Sequence, residues 1–126
     1  MTLLRVVSIV SATLALAACT HEPTAVSDGA FRVVTGKDAL TLQNSSLVAI
    51  NYLVVERVSA ARINWTACAG LNCPAVPAAG TATVPFSQIV GYAPGAQEAI
   101  VYWWHSVLNG TLGFRADTVR ALVAPL

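Results

Sequence analysis

Two histidines, three cysteines and a pair of well-separated glutamates carry the chemistry open to this chain of 126 residues. Triad hydrolysis needs a nucleophile, a base and an orienting acid within reach of one another. His105 lies between Trp103 and Val107 on a face that alternation assigns to core, and Asp117 is the one acid near it in sequence. No Gly-x-Ser-x-Gly turn accompanies it. His21 falls in a polar stretch and reads as a solvated linker residue. Glu56 and Glu98 are the acid and base that a glycosidase-like site would need, but nothing in the sequence joins them, and both read as surface charges. Cys68 and Cys73 offer two thiolates, half of a tetrahedral zinc shell, with no further ligand nearby. The expectation is therefore of no catalytic residue, no metal and no cofactor.

The third cysteine has a different setting. Arg5 precedes an apolar run from Val6 to Ala18 that ends in small residues, the layout of a secretory signal. As a helix the run would span only about 20 Å, short of the roughly 30 Å hydrocarbon core. Leu16-Ala17-Ala18-Cys19 resembles the lipobox of bacterial lipoproteins at every position. That resemblance implies cleavage after Ala18, so that residues 1–18 are a signal peptide, and diacylglycerol on the Cys19 thiol. More than one acyl chain, at about 0.8 kcal/mol per buried CH₂, makes release from the membrane negligible. Thr20, rather than an aspartate, follows the cysteine, which favours the outer membrane of a Gram-negative cell envelope.

With Cys19 occupied by lipid, Cys68 and Cys73 remain as an even pair in an oxidising compartment, and a local disulfide is expected between them. Closing so short a loop contributes about 2 kcal/mol in the chain-entropy model. Residues 19–29 read as the lipidated cysteine and a flexible tether, polar and turn-rich, with a reach of about 35 Å at most.

Residues 30–126 must then form one domain. Period-two alternation recurs through Phe31–Val33, Leu40–Leu42, Val48–Val54, Ile63–Trp65, Ala82–Phe86, Val101–Val107 and Val119–Val123, and each run reads as a half-buried strand. Turn residues separate them, among them Asn44-Ser45-Ser46, Pro94-Gly95 and Asn109-Gly110. The pattern predicts an all-β fold: a single small sandwich of seven or eight strands, immunoglobulin-like in size and spacing, with a small barrel as the alternative. The domain resembles in architecture the small β-sandwich domains of bacterial lipoproteins.

Asn109-Gly110 reads as a two-residue type I′ turn, which pairs Val107 with Leu112, His105 with Phe114 and Trp104 with Arg115. Val101, Trp103, His105, Val107, Leu112 and Phe114 then share the core face. Tyr102, Trp104 and Arg115 share the other, an outward patch suited to a protein or a glycan. Packing of Trp104 under the Cys68 to Gly80 loop, or beside a neighbouring strand, is the structural alternative. Without Arg5, six basic side chains face six acidic ones with no charge run, which leaves no footprint for nucleic acid. The expected function is a membrane-anchored, non-catalytic binding or structural module of the envelope. The alternatives are a small inhibitor of an envelope-attacking enzyme, acting through the Cys68–Cys73 loop, and a hydrolase, which would need His105 in a cleft beside a serine and a carboxylate. Thiol titration of exported protein should find neither Cys68 nor Cys73 reactive; two free thiols would reject the pairing.

Overall fold

A computed structural model describes residues 24–126, and the signal segment, Cys19 and His21 lie outside them. Ten strands are present among the described residues: β1 (Thr24–Asp28), β2 (Phe31–Thr35), β3 (Ala39–Asn44), β4 (Ile50–Glu56), β5 (Ala75–Val76), β6 (Thr81–Pro85), β7 (Glu98–Trp104), β8 (Ser106–Leu108), β9 (Phe114–Ala116) and β10 (Arg120–Pro125). Eight of them build two antiparallel sheets, ordered β1-β2-β3-β6 and β10-β7-β4-β5, while β8 and β9 form a separate ribbon. No sheet closes on itself, so the fold is a sandwich rather than a barrel. Pairing β3 with β6 in one sheet and β4 with β7 in the other reproduces the B–E and C–F pairs of immunoglobulin sandwiches.

The core lies between the sheets. Phe31, Val33, Leu40, Leu42 and Val84 from the first meet Ile50, Val54, Val76, Val101 and Trp103 from the second. Phe31 and Trp103 stack across the interface with ring centroids 5.1 Å apart, a geometry that adds to simple area burial. Phe31 and Val33 of β2 and the even-numbered residues of β3 are buried, as alternation requires.

Four expectations are corrected. Residues 24–28 are not tether but the edge strand β1, joined to β2 by a two-residue turn in which Gly29 has φ +57°. Ile63–Trp65 forms no strand; the segment runs without a ladder partner and packs Trp65 against Tyr102 and Trp104. In β10 the phase is reversed, with Ala124 fully buried and Val119 and Val123 exposed, because residues 121–124 are all apolar and no polar residue among them sets the phase. The Asn109-Gly110 turn is wider than two residues: Val107 pairs with Arg115 and Leu108 with Phe114. A five-residue loop results, closed by Asn109 N–H donating to the Gly113 carbonyl at 2.7 Å.

Register also defines two ends. Thr24, Thr35, Glu56, Glu98 and Pro125 meet at the end where the described chain begins, and Asp28, Phe31, Asn44, Ile50, Trp104 and Arg120 meet at the other. At the first end a one-turn helix, α1 (Arg57–Ala60), follows β4 directly, capped by Glu56, whose carboxylate accepts from the Val58 N–H at 2.9 Å and the Ser59 N–H at 2.8 Å. Gly91, at φ +76°, passes so close that a Cβ there would fall 2.3 Å from Ser59 Oγ, so only glycine fits.

The Val58 N–H, then the Ser59 N–H, hold the Glu56 carboxyl below its ordinary pKa. A lowered folded-state pKa gives stability that is present above the unfolded value and lost as pH falls through the folded one. Glu56→Gln should therefore lower Tm at neutral pH, with the gap to the parent closing as pH drops through the carboxylate range. A gap independent of pH would contradict this assignment.

Candidate functional site

Strand β7 carries tryptophans at adjacent positions, and a strand sends adjacent side chains to opposite faces. Both are nonetheless buried, Trp103 at 5% exposure and Trp104 at 2%. Trp103 enters the sandwich. Trp104 lies on the outer face of its sheet, beneath the segment that contains the disulfide Cys68–Cys73. Its indole N–H donates to the Cys68 carbonyl at 2.8 Å, and Trp65 packs beside it with centroids 5.8 Å apart.

A polar chain fastens the same segment to the sheet. Asn51, buried on β4, donates through Nδ2 to the Pro74 carbonyl at 3.2 Å and accepts at Oδ1 from the Ser106 hydroxyl at 2.7 Å. Ser106 Oγ in turn accepts from the Gly70 N–H at 3.0 Å. The tip of the loop stays outside this network, with Leu71 90% exposed.

The outward patch expected of Tyr102, Trp104 and Arg115 therefore does not form. Trp104 is covered, Tyr102 is half-buried against Trp65 at 4.7 Å, and Arg115 is exposed on the β8–β9 ribbon opposite Val107. The guanidinium found over a tryptophan is that of Arg120, 5.4 Å from the Trp103 ring centroid. The face assigned to core also ends early: beyond Trp103, His105 and Val107 are half-buried while Leu112 and Phe114 are exposed. The ladder breaks at His105, whose carbonyl accepts from the Asp117 N–H at 2.8 Å, and the ribbon leaves the sandwich there.

That break helps shape a cavity of about 250 Å³ at the end opposite Thr24, lined among others by Asp28, Phe31, Trp103, His105, Asp117 and Arg120. Arg120 Nη1 lies 3.7 Å from Asp28 Oδ2, and both side chains remain partly exposed. The Trp103 indole N–H has no acceptor, and it is the one buried side-chain polar atom among the described residues in that condition. Left unpaired and out of reach of solvent, such a group costs about 1–3 kcal/mol.

Ser46 lines the same cavity as His105 and Asp117, so a serine, an imidazole and a carboxylate do meet in one cleft. They are not connected. The Ser46 hydroxyl donates to Asn44 Oδ1 at 2.7 Å, and no hydrogen bond reaches the His105 imidazole among the described residues. Glu56 and Glu98 also come together, at the far end, because β4 and β7 pair there. Glu56 is taken up as a helix cap and Glu98 by Arg57 at 2.8 Å, so neither is poised as a proton donor. No cluster of metal-ligating side chains occurs among the described residues.

Asp28 and Arg120 were missed as cavity residues because residues 24–28 read as tether and the phase of β10 was inverted, and Ser46 because Asn44-Ser45-Ser46 reads only as a turn. The available signal was Asp28-Gly29, one residue before the alternating Phe31–Val33 run, a hairpin cue. No protein-family model, curated protein or solved structure matches the chain.

Asn51→Leu removes one donor and one acceptor from a buried site and leaves the Ser106 hydroxyl and Pro74 carbonyl short of partners. It should cost about 2 kcal/mol in denaturant unfolding and speed proteolytic nicking of residues 66–72. Wild-type nicking rates would show that the chain of bonds does not hold the loop.

Proposed function

We propose that this protein is a lipid-anchored, non-catalytic binding module of a Gram-negative cell envelope that presents its binding end away from the membrane holding it. The observation that carries the reading is the placement of the Trp103 cavity at the end of the sandwich opposite Thr24. If acyl chains sit on Cys19, only residues 19–23 separate the lipid from β1, a reach of about 17 Å at most. The five residues of β1 carry the cavity roughly 15 Å further out. The partner is then an envelope protein or glycan met at that distance from the bilayer, most simply the outer membrane.

Binding is favoured over hydrolysis by what the polar groups already do. The Ser46 hydroxyl is committed to Asn44, and Glu56 and Glu98 are taken up by the α1 backbone and by Arg57. A second reading rests on a separate observation. The Cys68–Cys73 loop is fastened at Cys68, Gly70 and Pro74 while Leu71 projects into solvent, and a preorganised apolar tip suits an inhibitor that enters an enzyme cleft.

Cys19→Ser should abolish incorporation of labelled fatty acid and move the protein from the membrane to the soluble fraction; retention of label would refute the anchor. A photoreactive residue at Thr118, beside the cavity, should give crosslinks to an envelope component, and one at Lys37, at the other end, should not. Crosslinks from Leu71 alone would favour the inhibitor reading. Crosslinks from Lys37 alone would overturn both.

A further inference from the structure

Asparagine is among the thermolabile side chains, and it is most reactive where the next residue is glycine. Glycine has no Cβ to obstruct the approach of its main-chain nitrogen to the carboxamide carbon, and it leaves the backbone free to turn. Of the five asparagines in the sequence only Asn109 precedes a glycine. The structure separates it from the other four. Asn44 and Asn51 are buried, and their carboxamides are held by bonds to the Val48 and Pro77 carbonyls in one case and to Pro74 and Ser106 in the other. Asn64 and Asn72 are exposed. The nitrogen that follows Asn64 belongs to Trp65, whose ring packs on Tyr102 and Trp104, and the one that follows Asn72 belongs to Cys73, which is buried and closed into the disulfide.

Asn109 has neither restraint. It and Gly110 are both exposed in the loop between β8 and β9, and exposed loop tips are where a chain rearranges most freely. The Asn109 carboxamide makes no hydrogen bond among the described residues, and the Gly110 N–H makes none there either. The space around Gly110 is open, since a Cβ at that position would meet nothing within 4 Å. Two backbone bonds shape the loop, from the Leu112 N–H to the Asn109 carbonyl at 3.0 Å and from the Asn109 N–H to the Gly113 carbonyl at 2.7 Å. Neither uses the two groups that must meet.

We propose that Asn109 is a site of self-modification in the folded protein, converted to aspartate and isoaspartate with water as the co-reactant. The Gly110 nitrogen gives up its proton to hydroxide and attacks Asn109 Cγ. The new N–C bond closes a five-membered succinimide as the Cγ–Nδ2 bond breaks and ammonia leaves. Water then adds to one of the two ring carbonyls: opening at Cγ gives aspartate, and opening at the main-chain carbon gives isoaspartate. An amide and a water become a carboxylic acid and ammonia, with nothing oxidised or reduced. Either product sets a carboxylate between the exposed Leu108 and Leu112, in a stretch from Ser106 to Phe114 that otherwise carries no charge. Isoaspartate also adds a methylene to the main chain inside the loop that the Asn109–Gly113 bond closes. This inference stands apart from the anchor and from the Trp103 cavity.

The test keeps the purified full chain, folded in detergent micelles with its disulfide intact, at mildly alkaline pH in H₂¹⁸O and maps its peptides by mass spectrometry. Residue 109 should be the first asparagine to exchange its amide for an ¹⁸O-labelled carboxyl, as a mixture of aspartate and isoaspartate, at a rate that grows with hydroxide concentration. Asn64 and Asn72 should remain amides over the same period. Asn109→Gln would have to close a six-membered ring, and because the position is exposed the core is untouched; this variant should keep its charge unchanged on isoelectric focusing while the parent gains a negative charge. An Asn109 that keeps its amide while Asn64 or Asn72 loses its own, or that reacts only once the chain is unfolded in denaturant, would overturn the inference. So would an acidic shift that persists in Asn109→Gln.

Discussion

Adjacent residues on a β-strand cannot share a face, and here two adjacent residues are tryptophans that both avoid water. That constraint organises the molecule. Burying Trp103 requires a second sheet on one side of β7, and burying Trp104 requires a separate cover on the other. Each indole removes about 150–250 Å² from solvent, worth roughly 4 to 6 kcal/mol as an upper bound. Neither cover is therefore dispensable. The sandwich answers the first demand with Phe31, and the disulfide-closed segment answers the second with Trp65 and the Cys68 carbonyl.

The disulfide-closed cover is tied to the sheet beneath it through polar side chains at one end. Asn51 reaches from the middle of its sheet to Pro74 and Ser106, and Ser106 reaches Gly70. Since Ser106 begins β8, the bond that holds the loop also holds the ribbon where it departs from β7. The departure at His105 in turn leaves Trp103 next to a cavity rather than beside a continuing strand. The Trp103 indole N–H is itself buried without an acceptor. At the opposite end every carboxylate near α1 is already engaged, by backbone N–H groups or by Arg57.

Much of this was legible in the residues, for identifiable reasons. Strict alternation in Phe31–Val33 and Leu40–Leu42 survives because polar residues separate the apolar ones, so the sandwich core was readable. Cys68 and Cys73 were readable as a pair because the expected lipid on Cys19 leaves them as an even pair close in sequence. The phase of β10 was not readable, since Arg120, though exposed, lies over the Trp103 ring on the strand face that also carries the buried Ala124. Nor was the cover of Trp104: Ile63 and Trp65 alternate like a strand, and only tertiary context shows that they serve as a lid. The cavity was invisible for a further reason, because its wall joins residues from four distant parts of the chain, among them a strand hidden in a polar sequence.

The two-sided burial of Trp103 and Trp104 is the central claim, and hydrogen exchange on the intact protein tests it most directly. With the disulfide formed, the Trp104 indole N–H should exchange slowly, as befits a buried donor bonded to Cys68. Reduction should release that protection while the backbone amide of Trp103, inside the sheet, stays protected. A Trp104 indole that exchanges freely in the oxidised protein, or a reduction that opens both positions together, would contradict the account.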